Sequence, residues 1–171
     1  GGDWAADRIV PDAVRSLIQE KPIEIRNPSS VRPWQHVLDP LNGYLQLAHM
    51  IYQRASINLE KARPLCTAFN FGPKESSSKT VETLVDEILS IWQGKWVDKS
   101  SEAEVHEASL LRLDISKSLE LLNWCPVWDF KNALSETINW YKMVHSDNIS
   151  AEECTRSNIS KFENAKGALH A

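Results

Sequence analysis

Apolar residues recur at intervals of three and four residues along several stretches, which is the spacing of amphipathic helices. Asp7 is the expected N-cap of the first helix, Pro11 lies in its first turn, and Pro22 ends it. Gly94 follows the third stretch, where a C-terminal cap belongs. The expected helices cover residues 9–21, 40–56, 81–92, 116–122 and 129–144, and the stripe of the second one comprises Leu41, Tyr44, Leu45, Ala48, Ile51 and Tyr52.

Three other stretches have patterns typical of strands. Ile23–Ile25 alternates apolar and polar residues, and Leu111–Leu113 does the same. Leu65–Phe71 is almost continuously apolar or β-prone, which suits a strand buried on both faces of a parallel sheet. Strands alternating with helices indicate an α/β fold, although these strands are too few for a complete doubly wound sheet. Residues 146–171 have weak periodicity, and we expect a frayed helix or a mobile tail.

Length and charge describe one globular unit of ordinary size, with 171 residues and a net charge of −4. There is no run of about 18 apolar residues, so no membrane span is expected, and the mild acidity gives no electrostatic reason to expect nucleic acid. The sequence opens Gly1-Gly2-Asp3-Trp4, without methionine or signal peptide, as expected of a piece that starts in mid-domain. The three cysteines lie far apart, which indicates reduced thiols in a cytoplasmic protein.

The sequence lacks the known motifs for metal sites, for cofactor binding and for nucleophilic catalysis. Its five histidines form no i, i+4 pair and have no cysteine near them, so no metal site is expected. Its six glycines are dispersed, which leaves no dinucleotide-binding fingerprint, phosphate-binding loop or nucleophile elbow. The pattern therefore identifies no catalytic residue.

Arginines in predicted loops are the remaining candidates for chemistry, namely Arg8, Arg26 and Arg32. A guanidinium stays charged and donates two parallel hydrogen bonds, which suits a phosphate. Arg8 also lies close to a helix N-terminus, where free N–H groups favour an anion. Alternatively, the three are solvated surface charges or partners of Asp3, Asp7 and Glu24.

Seven tryptophans are an unusual number for this length. Trp4 and Trp34, each in a loop beside one of the arginines, either wall a sugar or a base or pack in the core. Trp124, Trp128 and Trp140 are expected in the core.

Six blocks of sequence together carry a resemblance to a known family. They are GGDWAADRIVPD at 1–12, IRNPSSVRPWQHVL at 25–38, AFNFGP at 68–73, HEA at 106–108, LDISK at 113–117 and WYK at 140–142. These blocks resemble the CDP-glucose 4,6-dehydratase family of the extended short-chain dehydrogenase/reductase superfamily, whose members act on nucleotide sugars. The resemblance covers residues 1–145 and corresponds to the C-terminal part of such an enzyme.

The resemblance implies an α/β fold in which this chain is the C-terminal substrate-binding part of an extended short-chain dehydrogenase/reductase, with remnants of the Rossmann sheet. Residues 1–145 then form the nucleotide-sugar-binding portion, including strand 65–71 and helices that pack on a missing Rossmann domain, and residues 146–171 form a poorly defined tail. Without that N-terminal Rossmann half, the Phe69–Phe71 strand has unpaired edges, so we expect the chain alone to be marginally stable.

Members of the family bind NAD in the N-terminal domain and use a Tyr-x-x-x-Lys pair to convert CDP-glucose to CDP-4-keto-6-deoxyglucose with loss of water. Tyr44, Tyr52 and Tyr141 are followed four positions on by alanine, serine and histidine. The resemblance thus implies an NAD-dependent hydro-lyase when intact, a cytoplasmic homo-oligomer that takes a CDP-sugar. It also implies that this fragment alone holds no cofactor and is inactive.

Individual positions follow from the same resemblance. Arg32 is the expected pyrophosphate ligand, and Asn70 and His106 are expected to orient the nucleotide end by hydrogen bonds. Val105 stands where the family has proline, and Asn123 replaces the usual glycine, which suits a left-handed helix cap. The positions implied to line the substrate site are Arg8, Ile9, Glu24, Ile25, Arg26, Arg32, Asn70 and His106.

Two other functions stay open. One is a non-catalytic module that binds a nucleotide sugar or pairs with another reductase subunit, and the other is an epimerase or dehydratase for a different nucleotide sugar. Arg26-Asn27-Pro28 and Gln35-His36 favour CDP-glucose 4,6-dehydratase over the second alternative. Nothing in the sequence distinguishes a part of CDP-glucose 4,6-dehydratase from the non-catalytic module.

Overall fold

The computed structural model describes residues 3–100 and 111–169, and in these residues it confirms the mixed α/β class, with helices dominant. Turns of 3₁₀ helix cover Arg63–Leu65 and Glu75–Ser77. In chain order the elements are α1 Ile9–Ile18, β1 Ile23–Ile25, β2 Val31–Pro33, α2 Leu38–Ile57, α3 Leu59–Ala62, β3 Ser78–Thr80, α4 Val81–Ile91, β4 Trp96–Asp98, α5 Ser116–Leu122, α6 Phe130–His145 and α7 Ala151–Leu169.

Two small sheets join distant parts of the chain. β1 pairs in parallel with β4, with Ile23 opposite Trp96 and Ile25 opposite Asp98. β2 pairs antiparallel with β3, with Arg32 opposite Lys79. The sequence predicts β1 but not the other three strands. None of the three has the clear alternation of β1, because β2 ends in a proline, β3 has no apolar residue and β4 begins with two adjacent apolar residues.

The main core lies where α1, β1, α4 and α6 meet. α4 and α6 begin at residues whose side chains accept a backbone hydrogen bond, Thr80 from Thr83 N–H at 3.1 Å and Asp129 from Asn132 N–H at 2.8 Å. The helices predicted at 81–92, 116–122 and 129–144 are therefore confirmed within one residue at each end. The buried side chains are Ala13, Val14, Leu17, Ile23, Ile25, Leu84, Val85, Ile88, Phe130, Leu134, Ile138, Trp140, Tyr141 and Cys154.

A second cluster holds α2 against α5. Phe71 and Trp124 are buried with their ring centroids 5.0 Å apart, edge to face. Gly43 of α2 makes room for the Phe71 ring, because a Cβ at that position would lie 2.3 Å from Phe71 Cδ1. Most of the predicted stripe of α2 lies on its outer side instead, where Leu45 is 73% and Tyr52 is 74% exposed, while Ile51 packs on the second cluster. This exposed apolar face of α2 comprises Leu41, Tyr44, Leu45 and Tyr52.

Two predicted strands are wrong. Residues 66–74 form no strand after the 3₁₀ turn, although Phe71 is buried. An apolar run indicates that its side chains are buried, whereas a strand also needs a hydrogen-bonded neighbouring strand. None of the described residues pairs with this stretch. Leu111–Leu113 also forms no strand, although Leu111 N–H donates a hydrogen bond to Val31 O at 3.3 Å.

Two predicted helix caps are also wrong. Asp7 has a φ of 60°, and Arg8 occupies the N-cap position of α1. α4 ends at Ile91 with Trp92 as the cap, while Gly94 allows Leu17 to approach, since a Cβ there would lie 2.4 Å from Leu17 Cδ2. α1 itself ends three residues before its predicted end. Asn123 does adopt the left-handed conformation expected at the end of α5, with a φ of 50°.

The predicted tail is a helix, α7, packed on α6. Trp140 Nε1–H donates to Thr155 Oγ1 at 3.0 Å, and Phe162 meets the Trp128 ring with centroids 5.1 Å apart. α7 buries Cys154, Asn158 and Phe162, about one residue per turn. So narrow a buried face explains why the apolar periodicity is weak.

Trp124, Trp128 and Trp140 are buried, as predicted. The cysteines are also as predicted, because Cys66, Cys125 and Cys154 are all free thiols. None of the helices built from the described residues is long and apolar enough to cross a bilayer.

Candidate functional site

Six of the eight positions implied by the resemblance line one open groove of about 680 Å³. They come from three separate elements, so their proximity is a property of the fold and not of sequence spacing. Trp34 contributes an aromatic wall to the same groove. The six are Arg8, Ile9, Glu24, Ile25, Arg26 and Arg32.

The N-terminus of α1 opens towards this groove. Arg8, the N-cap residue, is in an extended conformation and its side chain makes no capping hydrogen bond. Ile9, the first residue of the helix, also lines the groove. The first N–H groups of a helix have no partner within the helix, and the aligned peptide dipoles favour negative charge there. The geometry of α1 therefore suits an anion.

The N-terminus of α4, whose Val81 also lines the groove, is closed by contrast. Val81 N–H donates to Ser30 O at 3.0 Å, and Glu82 N–H donates to Pro28 O at 2.9 Å. The loop at 27–30 thus satisfies the donors that α4 would otherwise offer. In the described part of the chain, the N–H groups of Ile9 and Val10 have no hydrogen-bond partner, while Pro11 carries no N–H, so α1 is the more open of the two helix ends.

Carboxylates balance the arginines within the groove. Asp7 pairs with Arg26 at 2.7 Å, so the ion-pair alternative considered from the sequence holds for this arginine. Glu24 reaches Lys99 at 3.9 Å. Among the described residues, no ion pair or side-chain hydrogen bond involves the Arg8 guanidinium. Arg8 is thus the groove arginine whose charge is least compensated.

Arg32 projects from β2 and is half-buried. Its Nη1–H donates to Val31 O at 3.0 Å. In an antiparallel pair, directly opposite residues share a face of the sheet, which places Arg32 and Lys79 on the same face. Like charges directly opposite each other are unfavourable in such a pair, although Lys79 is not among the groove-lining residues.

The two tryptophans considered for the site differ in position. Trp34 lines the groove and also a neighbouring, largely apolar cavity of about 300 Å³, and its Nε1–H donates to Lys79 O at 2.9 Å. Trp4 packs edge-on against Tyr141 and His145, with centroids 5.4 and 4.9 Å away. Trp4 is not among the groove-lining residues. Trp34 alone is placed to contact a sugar or a base in this groove.

The remaining two positions do not join the six. Asn70 lies outside the groove, and its Nδ2–H donates to Asp114 O at 3.1 Å. Asp114 lines a smaller depression of about 320 Å³, which shares Pro33 with the groove. His106 lies outside the described residues.

Two buried titratable groups lie behind Trp34 at the start of α2. His36 packs edge-on against Trp128, with centroids 4.7 Å apart, and burial lowers its pKa to about 4. Asp39 Oδ1 accepts a hydrogen bond from Val127 N–H at 2.6 Å, while burial raises the pKa of Asp39 to about 6. Neither side chain lines the groove, while His36 borders the neighbouring cavity beside Trp34.

Sequence reasoning missed several groove residues. Asp7 is predicted as a helix cap and Asn27 and Ser30 only as part of a turn, yet all three line the groove. No spacing rule signals them, because a loop path decides where they point. Across residues 3–100 and 111–169, no group of three or more metal-ligating side chains is found.

Comparison with known proteins confirms the resemblance. No family model matches the chain. The chain is 37% identical over 168 residues to CDP-glucose 4,6-dehydratase of Salmonella typhimurium strain LT2. The match covers 96% of this chain and 44% of that protein, within its C-terminal part, so the chain spans less than half the length of this relative.

Proposed function

We propose that this chain is the substrate-binding part of a CDP-glucose 4,6-dehydratase and that its groove holds the pyrophosphate of a CDP-sugar. The observation that carries the proposal is the convergence of Arg8, Arg26 and Arg32 on one groove, together with the uncapped N-terminus of α1. Guanidinium groups and helix N-termini both favour phosphate oxygens. The relative with 37% identity, a CDP-glucose 4,6-dehydratase, supports the choice of substrate class.

The groove suggests how the substrate is arranged. The pyrophosphate would lie between Arg8 and Arg32, with Trp34 against the sugar or the base. These residues bind and orient, while the oxidation at C4, the loss of water and the return of hydride to C6 need groups that this chain does not offer. Its dispersed glycines do not fit the dinucleotide-binding turn that NAD needs. We therefore place NAD and catalysis in the N-terminal half of a longer protein.

Replacing Arg8 by glutamine is expected to weaken the binding of CDP-glucose about 10- to 100-fold, because a hydrogen bond to a charged group contributes roughly 1.5–3 kcal/mol. Arg8 is a clean choice, since in the described part of the chain its side chain supports no other residue. Isothermal titration calorimetry of the 171-residue chain measures the affinity. Arg32→Ala is expected to weaken binding by a similar amount.

Arg63→Gln is the matched control, because Arg63 is exposed, pairs with Glu60 at 3.0 Å and does not line the groove. It should bind CDP-glucose like the wild type. Equal affinities for wild type, Arg8→Gln and Arg32→Ala would remove the groove from the substrate site.

The exposed apolar face of α2 supports a second part of the proposal, that an N-terminal Rossmann half packs on this helix. Leu45 and Tyr52 each expose nearly three quarters of their surface, and Leu41 and Tyr44 extend the patch along the helix. A contiguous apolar patch of this kind is typical of a surface that another unit covers. A relative more than twice as long as this chain supplies such a unit.

Co-expression with the N-terminal half of the Salmonella dehydratase tests this packing. The two chains should co-purify, and Leu45→Glu should abolish co-purification because it buries a charge in the contact. Gln53→Glu, which adds the same charge at an exposed polar position of α2, should not. Self-association of the chain without capture of the N-terminal half would contradict the proposal. NAD-dependent turnover of CDP-glucose by the pair would favour the enzyme over the non-catalytic module.

A further inference from the structure

We propose that Asp7 is a built-in competitor for the substrate anion, occupying Arg26 with a carboxylate that a phosphate displaces. The inference rests on the proposed function, because it assigns a role to a residue of the same groove. Both side chains line the groove, and their charged atoms are 2.7 Å apart. A carboxylate oxygen at that distance occupies the position from which a phosphate oxygen would accept the same N–H group.

The loop that carries Asp7 is anchored on both of its sides. Tyr141 Oη–H donates to Asp3 O at 2.6 Å, and Arg15 donates to Trp4 O at 2.9 Å and to Ala5 O at 3.2 Å. After Asp7, the chain enters α1 directly. The carboxylate is therefore presented to Arg26 by a fixed backbone and does not sample the solvent as a free tail would.

The backbone conformation of Asp7 adds to this presentation. Its φ of 60° lies in the left-handed region, which aspartate and asparagine tolerate better than other side chains. This conformation turns the chain between Trp4 and α1 so that the side chain reaches an arginine 19 positions further on. Asparagine at this position keeps the backbone preference and removes only the charge.

The pair is weak enough to be displaced. The Asp7 and Arg26 side chains are 80% and 57% exposed, and exposed ion pairs contribute little because water screens them. A pyrophosphate that also contacts Arg8 and Arg32 gains several charge-assisted hydrogen bonds for the loss of one such pair. Asp7 thus lowers the affinity of the groove for any anion but does not close it.

The effect of removing the competitor follows from the usual strength of such pairs. Asp7→Asn is expected to tighten the binding of CDP about 1.5- to fivefold, which is the equilibrium ratio for an exposed ion pair. The gain should vanish when Arg26 is also changed, so Asp7→Asn/Arg26→Gln should bind like Arg26→Gln. Asp7→Gly, which also accepts a positive φ, should reproduce the gain.

The titration uses CDP and the 171-residue chain, with Asp12→Asn as the matched control. Asp12 also lines the groove but pairs with Arg15, so its removal changes the local potential while leaving the Asp7–Arg26 pair in place. Because the Asp12 carboxylate lies in the same groove, Asp12→Asn should tighten the binding of CDP, but by less than Asp7→Asn does. Far-UV circular dichroism shows whether each variant keeps the helical content of the wild type.

The possible outcomes separate this inference from the proposed function. If the wild type binds CDP and Asp7→Asn binds it equally well or more weakly, the inference alone is overturned. Weaker binding by Asp7→Asn would mean that Asp7 positions Arg26 for the ligand. An equal gain in Asp12→Asn, or a gain that survives Arg26→Gln, would assign the effect to general electrostatics and also overturn it. If no variant binds CDP, the groove is not an anion site and both proposals fall.

Discussion

Replacing Trp124 by alanine is expected to lower the free energy of unfolding by about 3–5 kcal/mol, the usual cost of truncating a buried tryptophan. Trp124 is 1% exposed and packs on Phe71, which in turn fills the space above Gly43. The loss should be largest in α2, because this cluster holds that helix to α5. Urea unfolding followed by circular dichroism measures the loss, and amide hydrogen exchange shows whether α2 loses protection first.

Trp124→Phe separates packing from hydrogen bonding at the same site. Trp124 Nε1 is buried and finds no acceptor among the described residues, so phenylalanine keeps much of the ring contact while removing an unsatisfied donor. We expect it to cost less than Trp124→Ala, because it leaves a smaller cavity. Leu121→Ala, at an exposed position of α5, should have a small effect. A loss in Trp124→Ala as small as that in Leu121→Ala would contradict this account of the cluster.

The second large effect concerns pH, because His36 and Asp39 have opposite linkages to folding. The pKa of His36 falls from 6.5 to about 4 on folding, so between these values the unfolded state binds the proton and acidification destabilises the protein. The pKa of Asp39 rises from 3.8 to about 6, so in that window the native state binds the proton and acidification stabilises the protein. Across its full window, each contribution amounts to about 3 kcal/mol.

In the wild type, the two contributions offset each other between pH 4 and pH 6. Asp39→Asn is expected to leave the His36 contribution alone, so stability should fall more steeply on acidification than in the wild type. His36→Asn keeps an acceptor near the position where Nδ1 accepts the Leu38 N–H at 3.2 Å. This variant should show the reverse, with stability that rises relative to the wild type as the pH falls towards 4.

Urea midpoints at pH 4.5, 5.5 and 7 test both variants. Differences from the wild type matter more than the absolute curves, because the exposed carboxylates contribute equally to each protein. If the difference in unfolding free energy between each variant and the wild type does not change with pH across this range, neither His36 nor Asp39 is buried as this structure places it.

The helices that sequence predicts well are those that bury one broad face. α4 and α6 place apolar residues at three- and four-residue spacing and begin at Thr80 and Asp129, which are ordinary capping residues. The sequence pattern of α7 is harder to recognise, because this helix buries only Cys154, Asn158 and Phe162. The 65–71 run misleads for a different reason, since apolar character does not specify a hydrogen-bonded neighbour.

The groove residues divide in the same way into those that a sequence motif indicates and those that only the tertiary structure places. A resemblance to known motifs brings six groove residues together without any knowledge of the fold, and the structure places them side by side. The resemblance does not single out Asp7 and Ser30 as site positions, although both lie in its blocks, because their positions depend on the path of loops through space. Asn70 matches a motif but bonds to Asp114 O outside the groove, so a motif match does not by itself place a side chain in a given groove.

The parallel pairing of β1 with β4 has a consequence for the order of folding. Residues 26–95 lie between the two strands, so their pairing closes a long loop. Contacts so distant in sequence are expected to form late, because the entropy lost in closing the loop between them is offset only when many native contacts have formed. Lys99 N–H, just beyond β4, bonds to Ile25 O at 2.8 Å, directly before Arg26. The groove is thus completed late, and a bound anion should slow unfolding while leaving the folding rate unchanged.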